Sequence, residues 1–123
     1  MHQLSIKTHK LLYFIYGVIN KPGLFSVTRI EDINIMTYAF IMALNIEEAK
    51  SVELFLYKFR VFLNNKYTIN NNLEWVKIVR LHSNNDTDSI KKLELLINEF
   101  LILKYGKDLY FFYTSWNQSP SNL

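Results

Sequence analysis

The sequence predicts a mainly α fold, a compact bundle of about five helices with a short extended C-terminal segment, in a single domain over residues 1–123. Three observations predict it. Apolar residues recur every three or four positions along most of the chain, the period of a helix with one buried face. Residues whose side chains cap helix starts stand just ahead of those runs. Asparagine, proline and glycine separate them, at Asn20-Lys21-Pro22-Gly23, at Asn70-Asn71-Asn72 and at Gly106.

The first helix is expected over residues 4–19, with Leu11, Ile15 and Val18 on one stripe and Leu12, Tyr16 and Ile19 beside it. Pro22 disfavours a helical residue before it and Gly23 permits a turn, so the helix stops there. Thr28-Arg29-Ile30-Glu31 has the spacing of a capping box and marks a second start. Ile30, Ile33, Thr37, Phe40 and Leu44 would share that helix's buried face. Asn45 with Glu48 marks a third start, and Val52, Phe55, Phe59, Phe62 and Leu63 give this helix a wide aromatic stripe ending at Asn64-Asn65.

The asparagine triplet favours a turn, because its side chains compete for local backbone hydrogen bonds. A shorter helix over residues 73–81 would bury Trp75, Val76, Ile78 and Val79. After a loop at 83–86, residues 88–104 read as a strong helix carrying Ile90, Leu93, Ile97, Phe100 and Leu101, with Gly106 at its C-terminal cap. Residues 109–114 are rich in side chains that suit a strand and are expected to lie extended across the helices. From about Trp116 the polar and proline content predicts a frayed terminus. Phe40, Phe55, Phe59, Trp75, Ile97 and Phe100 form the expected centre of the core.

Composition narrows the function. Half the residues are apolar and 20% are charged, a balance that supports a core and lies far from that of disordered chains. The absence of cysteine excludes a disulfide framework, a cysteine nucleophile, an iron–sulfur cluster and the usual zinc fingers. It suits the cytoplasm, the expected location. The net charge is +3, but residues 30–57 hold five acids (Glu31, Asp32, Glu47, Glu48, Glu53) against Lys50 alone, a net of −4, which leaves +7 scattered over the rest. The apolar run at 11–19 follows Lys7 and Lys10 like a signal peptide, yet no small-residue cleavage pattern follows it. Its nine residues fall short of the roughly 20 that span a bilayer. No membrane contact is expected.

Catalytic chemistry finds little footing. His2, His9 and His82 lack carboxylates at any established ligand spacing and are expected to face solvent, so neither a metal site nor a cofactor is expected. Gly17, Gly23 and Gly106 are too far apart for a phosphate-cradling loop. The adjacent acids at Glu31-Asp32 and Glu47-Glu48 suit helix dipoles better than acid–base work. No catalytic residue is assigned and the protein is not expected to be an enzyme.

The order of these pieces resembles a helical family of bacterial immunity proteins from polymorphic-toxin and contact-dependent growth inhibition systems. The resemblance rests on Lys21-Pro22-Gly23-Leu24-Phe25 after a helix, then a capped amphipathic helix, Phe55 and Phe59, Trp75 with Ile78 and Val79, and the run through Phe100. It covers residues 10–103. Two departures stand out: Ser26-Val27 where the family tends to carry a glycine, and Ala39 where it has another. The resemblance implies a protein that binds its cognate toxin domain one-to-one, most often a nuclease such as an RNase, and occludes the active site. A nuclease needs a basic cleft, so the expected toxin-binding residues are Glu47, Glu48 and Glu53 first, then Glu31 and Asp32, with Tyr110, Phe112 and Trp116 of the aromatic tail as the other face. The basic pI and the aromatics leave one alternative, a small helical nucleic-acid-binding or regulatory protein.

Overall fold

The computed structural model describes residues 4–69 and 73–116. Among these residues there are six α-helices and no strand: α1 (Ile6–Asn20), α2 (Ile30–Met42), α3 (Ile46–Lys66), α4 (Trp75–Leu81), α5 (Asp86–Tyr105) and α6 (Leu109–Trp116). Side chains close most of the starts; Glu74, ahead of α4, makes no such bond. The Ser5 hydroxyl accepts from the Thr8 N–H (3.2 Å) at α1. At α3 the expected box forms, with Glu48 N–H donating to Asn45 Oδ1 (2.9 Å) and Asn45 N–H to Glu48 Oε1 (3.2 Å). Asn85 Oδ1 accepts from Asp88 N–H (2.8 Å) at α5, which therefore begins at Asp86, earlier than the sequence suggested. Gly106 ends α5 in the left-handed conformation (φ 76°) that glycine adopts without strain.

Two expectations are corrected. The C-terminal segment is not extended: it forms α6. Asp108 Oδ1 accepts from Phe111 N–H (2.9 Å) and Asn98 Oδ1 from Leu109 N–H (2.8 Å), so two donors at its start are satisfied. Leu109 and Phe112 are buried. A strand here would have needed a neighbouring strand to satisfy its backbone, whereas a helix satisfies its own and still buries one face on α1. The cap of α2 is shifted by one residue. Asp32, not Glu31, turns back, and its Oδ2 accepts from the N–H groups of Thr28 (2.9 Å) and Arg29 (3.0 Å).

Pro22–Phe25 forms a single 3-10 turn between α1 and α2, and Phe25 packs edge-on against Phe14 (5.7 Å between centroids). The turn closes at Ser26, which holds a left-handed φ of 56°.

The buried apolar side chains make one cluster centred on Phe100, whose ring lies 5.5 Å from each of Phe55, Phe59 and Phe62. Phe55, Phe59, Trp75, Ile97 and Phe100 are buried as expected. Phe40, Leu44, Phe62 and Val76 are only half-buried, because the last turn of α2 and the flanks of α3 and α4 run past the core's edge. Thr37 is fully enclosed, its hydroxyl donating to the Ile33 carbonyl (2.9 Å). No helix among the described residues is long and apolar enough to cross a membrane.

Candidate partner interface

Residues 43–45 join α2 to α3, and so short a link sets the two helices side by side as antiparallel neighbours. Between them runs a groove of about 420 Å³, walled by Thr37, Tyr38, Ile41 and Met42 on one side and Glu53, Leu56, Tyr57 and Arg60 on the other, with Trp75 of α4 at its end. Three of its apolar side chains stand open to solvent: Tyr38 at 56%, Tyr57 at 53% and Met42 at 85%. Arg60 is pinned by Glu74 (3.1 Å), and its guanidinium lies 5.2 Å from the centre of the Tyr57 ring. The guanidinium thus packs against the otherwise exposed Tyr57 ring.

The sequence holds the signal for this groove as a second apolar stripe on each helix. Ile35, Tyr38 and Met42 on α2, and Leu54, Tyr57 and Val61 on α3, repeat at helical spacing and all six are exposed; of these, Tyr38, Met42 and Tyr57 line the groove. Sequence reasoning followed the core stripes and missed these.

The acids expected at the interface divide into committed and free groups. Glu31 forms a two-pronged pair with Arg80 (3.1 Å from Nε, 2.6 Å from Nη2), and Arg80 also meets Asp86 (2.8 Å). These bonds tie α2, α4 and α5 together. Hydrogen bonding to Arg80 holds the Glu31 carboxyl below the ordinary glutamate range, and the Arg80 guanidinium is correspondingly raised. Asp32 is held low by the backbone N–H groups of Thr28 and then Arg29. Glu48 is occupied by the α3 cap and lies 3.9 Å from Lys7. Glu47 and Glu53 are exposed and have no ion pair among the described residues. Of these two, Glu53 borders the groove, since six residues of helix turn Glu47 about 120° away from it.

The aromatic tail divides similarly. Tyr110 is exposed, with its ring 5.7 Å from Tyr16. Burial, then the neighbouring Tyr110 and Glu94, push the Tyr16 phenol above its ordinary value. Phe112 is buried in the core, and Trp116 is half-buried against His9 (5.2 Å) and Tyr13 (6.2 Å). The frayed terminus expected from Trp116 lies outside the described residues except for Trp116 itself, which ends α6.

His9 is not the solvent-facing group expected. Its Nε2 lies 2.7 Å from the Phe112 carbonyl, a contact in which an imidazole N–H donates, and 3.2 Å from Ser115 Oγ. A helix-spaced position facing α6 buries part of the ring. His82 is exposed, its ring stacked on Tyr67 at 3.7 Å with Nδ1 2.8 Å from the Ile78 carbonyl. His2 lies outside the described residues. Among the described residues, no three histidine or acidic side chains converge as a metal-binding group.

Comparison of the chain with protein-family models, with curated proteins and with solved structures gives no match.

Proposed function

We propose that the protein acts by binding another protein through the α2/α3 groove, as an immunity-type inhibitor that occludes the active site of a toxin domain, a nuclease in the first instance. The observation that carries this reading is the groove itself, where Tyr57, packed against Arg60, stands between Tyr38 and Met42 with the uncommitted carboxylate of Glu53 on the rim. Exposed tyrosine and arginine beside an apolar hollow are the residues that dominate interface energetics. Glu53, the one acid of residues 30–57 that borders the groove, suits a basic cleft built to hold a polyanion. Glu47, turned away from the groove, and Tyr110, packed against Tyr16 of α1, would lie outside the contact; Glu31, Asp32, Glu48 and Phe112 would act by keeping the scaffold in shape.

The order of motifs adds support. Ser26 occupies a left-handed position, the conformation glycine favours, close to where the resembling family carries glycine. The reading requires no catalytic group, cofactor or metal, and places the protein with its toxin in the cytoplasm. Co-expression with the toxin domain encoded beside it tests this. Growth should be restored by the natural chain and lost with Tyr57→Ala plus Glu53→Lys at equal protein level. Unrestored growth at full expression of the natural chain overturns the reading.

A further inference from the structure

The α2/α3 groove repeats one chemical pairing, and the chain itself fills half of it. Its charged lining is Glu53 and Glu74 against Arg60, two carboxylates and one guanidinium. Arg60 lies over the Tyr57 ring (5.2 Å to the centroid) and meets Glu74 (3.1 Å), so a tyrosine face and a carboxylate hold that guanidinium together. Nearer the link between the helices stand a second tyrosine and a second carboxylate, Tyr38 and Glu53. Among the described residues Glu53 has no ion pair and no cation lies over the Tyr38 ring, which is 56% exposed.

The two belong to one spot. Tyr38 lies four residues before the end of α2 and Glu53 seven after the start of α3, so along antiparallel axes they differ in height by about 4.5 Å, which one long side chain bridges. Ile41 and Leu56, half-buried in the same lining, offer apolar surface to the methylene stem of such a side chain. With Arg60 answered by Glu74, the charge left in the lining is that of Glu53, so an incoming cation is attracted. A planar guanidinium can stack on a ring and bond a carboxylate at once, whereas an ammonium is more strongly hydrated and has no plane to stack.

We propose that the open half of the groove receives an arginine side chain of the protein partner, its guanidinium on Tyr38 and Glu53 as that of Arg60 sits on Tyr57 and Glu74. Only the source of that arginine depends on the partner-binding reading; the chemistry of the site is tested without a partner.

The test is a titration of the isotope-labelled chain, followed by amide chemical shifts, with N-acetyl-arginine amide, the matching lysine amide and the matching amide of citrulline, the uncharged isostere of arginine. The arginine probe should shift the amides around Tyr38 and Glu53 saturably, with a Kd in the millimolar range expected of so small a ligand. The lysine probe should bind several-fold more weakly and the citrulline probe not measurably. Tyr38→Ala and Glu53→Gln, both at exposed positions, should each weaken the arginine probe about three- to fivefold, the size of an exposed cation–π contact or ion pair. Glu47→Gln removes an equal charge from the same helix outside the groove and should change nothing. Citrulline binding as well as arginine, equal losses in Glu47→Gln and Glu53→Gln, or no saturable shift at tens of millimolar probe each overturns the proposal and leaves the partner reading to co-expression. Arginine bound here with growth unrestored there would keep the arginine site and remove the toxin domain as its partner.

Discussion

Two helix seams in this molecule are rich in aromatic side chains, yet one is closed and the other open. Between α1 and α6, Tyr13 stacks on Tyr113 (5.1 Å, 10° between planes), Tyr16 lies 4.3 Å from the same ring, and His9 reaches the α6 backbone. Between α2 and α3, Tyr38 and Tyr57 face solvent across an apolar floor. The difference lies in what the chain supplies. The α1 face meets a short aromatic helix carried by the same chain, whereas no element of the described structure covers the outer stripes of α2 and α3. An aromatic stripe is therefore core when the chain supplies its cover, and stays exposed when it does not.

Substitutions should separate the seams. Phe100→Ala, at the centre of the core, should cost about 3–5 kcal/mol in denaturant unfolding, the usual loss for an enclosed aromatic. A loss below about 1 kcal/mol would mean that the helices pack around a different centre. In the open seam, Tyr57→Ala should weaken partner binding by about 2 kcal/mol while changing stability by no more than about 0.5 kcal/mol. A large stability loss would show that the groove is structural.

The closed seam should behave in the opposite way. Tyr113→Ala should destabilise the fold by about 1–2 kcal/mol and leave partner affinity unchanged, because it removes two aromatic contacts. If binding falls and stability does not, the seams have exchanged roles.

Acid offers a finer probe. Glu31 and Asp32 ionise below their ordinary values of 4.5 and 3.8 in the folded chain, so the unfolded chain binds more protons as pH falls into that range. The stability they contribute is complete above the ordinary values and is lost as pH drops through the lowered ones. Hydrogen exchange should loosen α2 before α1 and α6, since the α1/α6 contacts described across the seam involve no carboxylate. Glu31→Gln should flatten the acid dependence, and a slope equal to that of the natural chain would assign the loss elsewhere. The smallest effect concerns the turn between α1 and α2: Ser26→Gly should stabilise by about 0.5 kcal/mol by relieving the left-handed backbone, as read by thermal unfolding.

The sequence by itself determined α1 to α5 nearly to their ends, because a 3.6-residue apolar period and a cap are local properties, and the Asn45–Glu48 box and Gly106 each act within a few residues of themselves. The centre of the core was legible for the same reason, since the widest apolar stripes had to face inward. Tertiary structure decided what depended on distant partners. Residues 109–116 have strand-like composition, but Asn98 and the face of α1 make them a helix. Glu31 looked like a cap until Arg80, 49 residues away, took both its oxygens. His9 gained its role only when Phe112 came within reach. The groove, too, became visible only in three dimensions, because an exposed apolar stripe and a buried one have the same period, and which of them meets another helix is settled by packing.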